Sequence, residues 1–182
     1  MDIRQISIRY RQDHDRILVD INTGAGGEVQ VWLTRRMVRQ LWGPLTLLVT
    51  QAAVAQVVPH ALVLPEAREM MAQAARSRQL PGADFATPFD PKPAAQPLGP
   101  EPLLPTTVDL SPGPDGRGLR LTVKEPGGRN LSLQLSNDLA TGLMRLLEKA
   151  LAEADWGLGP VAQQAQNLPG EAAPKVPPVV LN

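Results

Sequence analysis

Displaced by 102 positions, a stretch near the start of this chain lies on another near its end without a gap. Ile6, Ile8, Ile17, Val19, Ile21, Val29, Val31 and Leu33 fall on Val108, Leu110, Leu119, Leu121, Val123, Leu131, Leu133 and Leu135. Gly26 falls on Gly128 and Thr34 on Ser136, and Met37, Val38, Leu41, Trp42 and Leu45 meet Leu139, Ala140, Leu143, Met144 and Leu147. An apolar pattern that occurs twice in the same order constrains the fold strongly, because whatever one copy forms the other must form too.

The periods within each copy give the elements. Ile6, Ile8 and Tyr10 alternate with Ser7, Arg9 and Arg11, which marks a half-buried strand. Gln12–Asp15 reads as a polar turn, residues 16–22 alternate again, Thr23–Gly27 reads as a glycine-rich hairpin loop, and Val29, Val31 and Leu33 follow. At Thr34 the period changes to about 3.6. Thr34 is a good N-cap, and Met37, Val38, Leu41, Trp42, Leu45, Leu48 and Val49 make an apolar stripe. The second copy does the same from Ser136. The expected fold is therefore α+β: an internally duplicated βββα unit, each an antiparallel three-stranded meander followed by a helix. The two are expected to pack about a pseudo-twofold axis, as one six-stranded sheet or as two facing sheets. Gly43-Pro44 lies well inside the first helix, where proline removes a hydrogen bond, so a kink or a break is expected there.

The first repeat is assigned to residues 1–58 and the second to 107–156. Between them, 59–80 forms a linker-helix region, with the helix over Pro65–Arg78, and 81–106, with eight prolines from 81 to 105, reads as a Pro-rich linker. Residues 157–182 read as a disordered Pro-rich tail. From Gln40 to Pro65 the chain has no charge, but Thr46, Thr50, Gln51, Gln56, Pro59 and His60 interrupt it, and the equivalent second helix is amphipathic. A buried helix is expected rather than a membrane span.

Composition narrows the function classes. The formal charge is zero, so no global field draws in nucleic acid or anionic membrane. The absence of cysteine excludes disulfides and thiolate chemistry, and the first residues carry no signal-peptide core, so a cytoplasmic location is expected. Fourteen arginines against four lysines, beside abundant Ala, Pro, Gly and Leu, suggest a GC-rich bacterial coding style. No cofactor or metal is expected: His60 has no second ligand nearby, Asp13-His14-Asp15 reads as a hairpin tip, and the Gly24–Gly27 glycines precede a strand rather than a helix.

The outward positions differ between the copies. Leu18 and Trp32 stand where the second copy has Arg120 and Gln134, and Arg9 and Arg11 flank them. The linker helix, through Met70 and Met71, could cover this surface. It could instead be a protein interface, for which Trp and Arg are frequent anchors, or a stacking platform for single-stranded nucleic acid. Arg35, Arg36 and Arg39 gather at the start of the first helix, where the helix dipole disfavours cations, as a solvated end or as a site for an anion or acidic partner.

The candidate binding surface is thus Trp32, Leu18, Arg9, Arg11, Arg35, Arg36 and Arg39, with no catalytic residue named. No family is identified from these residues. Tandem sheet-plus-helix repeats also occur in single-strand nucleic-acid-binding proteins of the Whirly and PUR kinds, whose repeats usually have four strands; that likeness is architectural and carries no function. The expected activity is that of a non-catalytic bacterial binding or adaptor protein that acts on a protein partner through the first repeat and the proline-rich segments. The alternatives are a weak single-stranded nucleic-acid binder and an enzyme with an unrecognised site.

Overall fold

Where the sequence alternates with period two, the described residues form six strands. The computed structural model describes residues 3–57, 70, 73–74, 95–114 and 118–158. Strands β1 (Ile3–Arg11), β2 (Arg16–Thr23) and β3 (Glu28–Leu33) form one antiparallel sheet in that order; β4 (Thr107–Pro112), β5 (Leu119–Lys124) and β6 (Asn130–Leu135) form another. The sheets do not merge, so of the two expected arrangements the six-stranded one is not formed. Their registers correspond at the 102-residue displacement. Ile6 pairs with Ile21 as Val108 pairs with Val123, and Val19 pairs with Val31 as Leu121 pairs with Leu133. The second hairpins match as well: Thr23 N–H donates to Gly27 O at 2.8 Å, and Glu125 N–H to Arg129 O at 2.9 Å. Gly26 (φ 80) and Gly128 (φ 87) take the left-handed turn position that a side chain would disfavour.

Helix α1 (Arg35–Val57) and helix α2 (Asn137–Ala154) follow the two sheets. Thr34 Oγ1 accepts from Met37 N at 3.3 Å and Ser136 Oγ accepts from Leu139 N at 3.2 Å, each satisfying an amide that has no partner within the first turn. Helix α1 runs through Pro44 as a single element, so no break occurs at Gly43-Pro44. One turn on, the Thr46 hydroxyl lies 2.9 Å from the carbonyls of both Trp42 and Gly43. No helix among the described residues is long and apolar enough to cross a membrane.

Each helix packs chiefly on the sheet of the other unit. Helix α2 packs against β1 of the first sheet, α1 packs against β4 of the second, and the helices touch each other. Alternation leaves each sheet one apolar face, and both faces join the helices in a single core that includes Ile17, Ile21, Val29, Leu45, Leu135, Met144 and Leu147. Between the sheets remains an apolar cavity of about 30 Å³, lined by Val19, Val31, Val123, Leu131 and Leu143 among others. The β1–β2 turn is tied to the segment after α2: Asp15 Oδ1 accepts from Tyr10 Oη at 2.9 Å and from Trp156 Nε1 at 2.8 Å. Those bonds hold the Asp15 carboxyl below its usual range, Trp156 contributing most and Tyr10 next.

Part of the Pro-rich linker is described, and it is not a free tether. Glu28 N–H donates to Ala95 O at 2.8 Å, Leu103 N–H to Gln30 O at 2.8 Å and Trp32 N–H to Leu103 O at 2.7 Å. These bonds lay the segment parallel along the open edge of β3. Leu103 is only 1% exposed and belongs to the core. Of the helix expected over Pro65–Arg78, only Met70, Gln73 and Ala74 are described, all helical, and Met70 is exposed. Met71 and the tail from residue 159 lie outside the described residues.

Candidate functional site

The face of the first sheet that points away from the core is built in rows across three strands. Arg9 pairs with Leu18 and Leu18 with Trp32, so three of the expected surface residues form one row. The next row is Ser7, Asp20 and Gln30, and the one after is Gln5, Asn22 and Glu28. Period two predicts that all of these face solvent, and several do not. Leu18 is buried, Trp32 half-buried, and Asp20 is 0% exposed. The indole of Trp32 packs on His14, ring centroids 5.1 Å apart. The equivalent face of the second sheet, with Asp109, Arg120, Lys124, Asn130, Ser132 and Gln134, is exposed.

A charge buried this far needs partners, and Asp20 has them. Arg9 Nη2 donates to Asp20 Oδ2 at 2.7 Å and Gln30 Nε2 donates to Oδ1 at 2.8 Å. Arg9 keeps its outer side exposed, so the pair is a buried carboxylate capped by a surface guanidinium. Glu28 lies beside it, 7% exposed, with Gln30 Nε2 at 3.4 Å. Burial, and then the Asp20 charge, push the Glu28 carboxyl above its usual range.

The other expected residues do not join this row. Arg11 lies at the hairpin end and binds Asp13 through two bonds of 3.1 and 3.2 Å. Arg35 reaches across the molecule and donates to Trp156 O at 2.9 Å. Its role is thus a tie between the start of α1 and the segment after α2. Arg36 and Arg39 are exposed on α1. The seven residues therefore divide into a row, a hairpin tip and a helix start.

Sequence reasoning missed a second cluster, at the tip of the β5–β6 hairpin. Arg129 Nε and Nη2 donate to Glu125 at 2.6 and 3.0 Å, and Arg129 Nη1 donates to the carbonyls of Leu98 and Glu101 at 3.1 and 2.9 Å. Glu125 Oε1 accepts from Leu104 N at 3.1 Å. The Arg129 guanidinium, and then the Leu104 amide, hold the Glu125 carboxyl below its usual range. This clasp pins the loop between Ala95 and Leu103 while Gln96, Pro97, Gly99, Pro100 and Glu101 stay exposed. The only signal in the sequence was a departure from the repeat, since Glu125 and Arg129 occupy the positions of Thr23 and Gly27.

Among the described residues, no group of three His, Asp or Glu could hold a metal ion. Comparison of the chain with models of protein families, with curated proteins and with solved structures finds no match.

Proposed function

We propose that the chain is a non-catalytic bacterial adaptor of the cytoplasm, a duplicated βββα scaffold with pseudo-twofold packing that presents a proline-rich loop to a protein partner. The observation that carries this reading is the way residues 95–104 are held. A connection that only joined two units would need no buried Leu103, no three backbone bonds to β3 and no Arg129–Glu125 clasp. Fixing both ends of Gln96–Pro102 lowers the entropy that a partner must remove, which favours recognition of the exposed prolines and Glu101. The adjoining row of Arg9, Leu18 and Trp32 offers a mixed apolar and cationic flank.

Single-stranded nucleic acid has less behind it. Stacking needs an open aromatic face, whereas Trp32 is half-buried against His14, and Arg9 is neutralised by Asp20 at 2.7 Å. The test is affinity capture from the host with and without nuclease, comparing the native chain with a Pro100→Ala/Glu101→Lys variant and with Trp32→Ala. A protein retained after nuclease and lost from the loop variant supports the adaptor. Recovery of nucleic acid, with binding that weakens steeply in salt, refutes it.

A further inference from the structure

Two three-stranded sheets have four edges, and three of them are guarded. β3 is covered by residues 95–103. β1 has an irregular register between Ile3 and Gln5, carries Arg4, Arg9 and Arg11, and has α2 packed against it. β4 carries Asp109, ends in Pro112 and has α1 against it. Bulges, charges and prolines are the usual means by which strand edges avoid pairing with other chains. β6, Asn-Leu-Ser-Leu-Gln-Leu, has no bulge, charge or proline, and α2 touches it less than it touches β1.

In an antiparallel ladder, alternate residues turn their backbone N–H and C=O away from the neighbouring strand. On β3 these are Glu28, Gln30 and Trp32, and all three bond the proline-rich segment. Asn130, Ser132 and Gln134 hold the same places on β6; all three are exposed, and among the described residues nothing bonds their backbone groups across the edge.

We propose that β6 is a dimerisation edge, at which two copies of this chain pair antiparallel about Ser132 to join their second sheets. The strand is self-complementary in that register. Ser132 faces Ser132 of the second copy, and Asn130 faces Gln134, so every outward backbone group meets another and two pairs of side-chain amides come together. No charged side chain lies on either strand, and the flanking cations on β5 are one strand further away, with Lys124 already 3.2 Å from Asp109 and Arg120 beside Gln134. Leu131, Leu133 and Leu135 remain in their own core. A second copy fits better than a free peptide like residues 95–104. That segment is clasped by Glu125 and Arg129, whose counterparts at the 102-residue displacement, Thr23 and Gly27, carry no charged side chain for such a grip.

The test is sedimentation of the full chain over a range of concentrations, with Ser132→Lys and Ser132→Asp variants. Ser132 is exposed and its hydroxyl lies 3.1 Å from the Thr122 hydroxyl on the same face, so both variants are expected to fold, and circular dichroism checks that. The native chain should dimerise, each variant alone should associate at least about tenfold more weakly because like charges meet at the dyad, and an equimolar mixture should recover the dimer. Amide exchange at Ser132 of the native chain gives an independent reading, slowing as concentration rises. A native chain that stays monomeric overturns the proposal, as does a dimer indifferent to both variants. So does a monomer whose Ser132 amide is protected only by an added synthetic peptide copying residues 95–106, which would assign the edge to an extended ligand.

Discussion

Replacing Leu103 by alanine asks whether the proline-rich segment belongs to the fold or merely connects it. The side chain is 1% exposed within the common core, and its backbone bonds to Gln30 and Trp32 survive the change. The loss is therefore that of buried methylenes plus the cavity they leave, about 2–5 kcal/mol in cores that relax incompletely. We take about 3 kcal/mol as the expectation, a substantial part of the roughly 5–15 kcal/mol that holds a domain of this kind folded. In urea unfolding with a slope near 2 kcal/mol per molar, that moves the midpoint down by about 1.5 M. Leu98→Ala, at a half-buried position in the same segment, should move it less. A Leu103→Ala loss within about 0.5 kcal/mol, the range of ordinary surface substitutions, would refute the claim that the segment is part of the core. An unchanged slope with the full shift would show that the segment and the sheets unfold together.

Gly118→Ala should cost about 2–5 kcal/mol, since the residue has φ 69 and an added Cβ would lie 2.1 Å from Leu135 O, whereas Gly127→Ala, with no backbone atom close by, should be nearly neutral in a thermal melt. Val123→Ile adds one methylene next to the 30 Å³ cavity and copies Ile21 of the first sheet; it should gain roughly 0.8 kcal/mol, and a lowered melting temperature would mean the space is the wrong shape. The raised Glu28 carboxyl binds its proton more tightly in the folded than in the unfolded chain, so it contributes fully at pH below the unfolded value and loses stability as pH rises through the folded one. Glu28→Gln should therefore be more stable than the native chain at neutral pH, with the difference shrinking in acid; a constant difference across that range would show that the carboxyl is not perturbed.

Local pattern made the strands legible. Alternation over residues 5–11, 16–22 and 28–33 fell within one or two residues of β1, β2 and β3, because each strand has a single core face and a slip would turn its isoleucines and valines to water. Thr34 and Ser136 announced the helices through a hydroxyl placed to receive an amide. Partnership was not legible. The stripe from Met37 to Val49 says that one face of α1 is buried, and nothing in it distinguishes β4 from the sheet to which the helix is joined. The proline count suggested a connection without ladder bonds, yet Ala95 and Leu103, both free of the proline ring, supply them. At the site, hairpin lengths and period two were enough to bring Arg9, Leu18 and Trp32 to one face. They could not show that Asp20 would be enclosed, since alternation assigns a residue to a face and not to water. Arg35 illustrates the same limit: its partner, the Trp156 carbonyl, is 121 residues away in the chain.

The packing of each helix on the other unit's sheet also sets an order of events during synthesis. β1 leaves the ribosome well before the helix that packs against it, since α2 lies roughly 125 residues further along. At about 5–20 residues per second the first sheet waits roughly 6–25 s with Ile6, Ile8 and Tyr10 facing an absent partner. The first βββα unit therefore completes its packing only once α2 has been made, and its apolar face stays partly uncovered in the nascent chain until then. A fragment ending before residue 137 should aggregate rather than fold, however regular its own pattern.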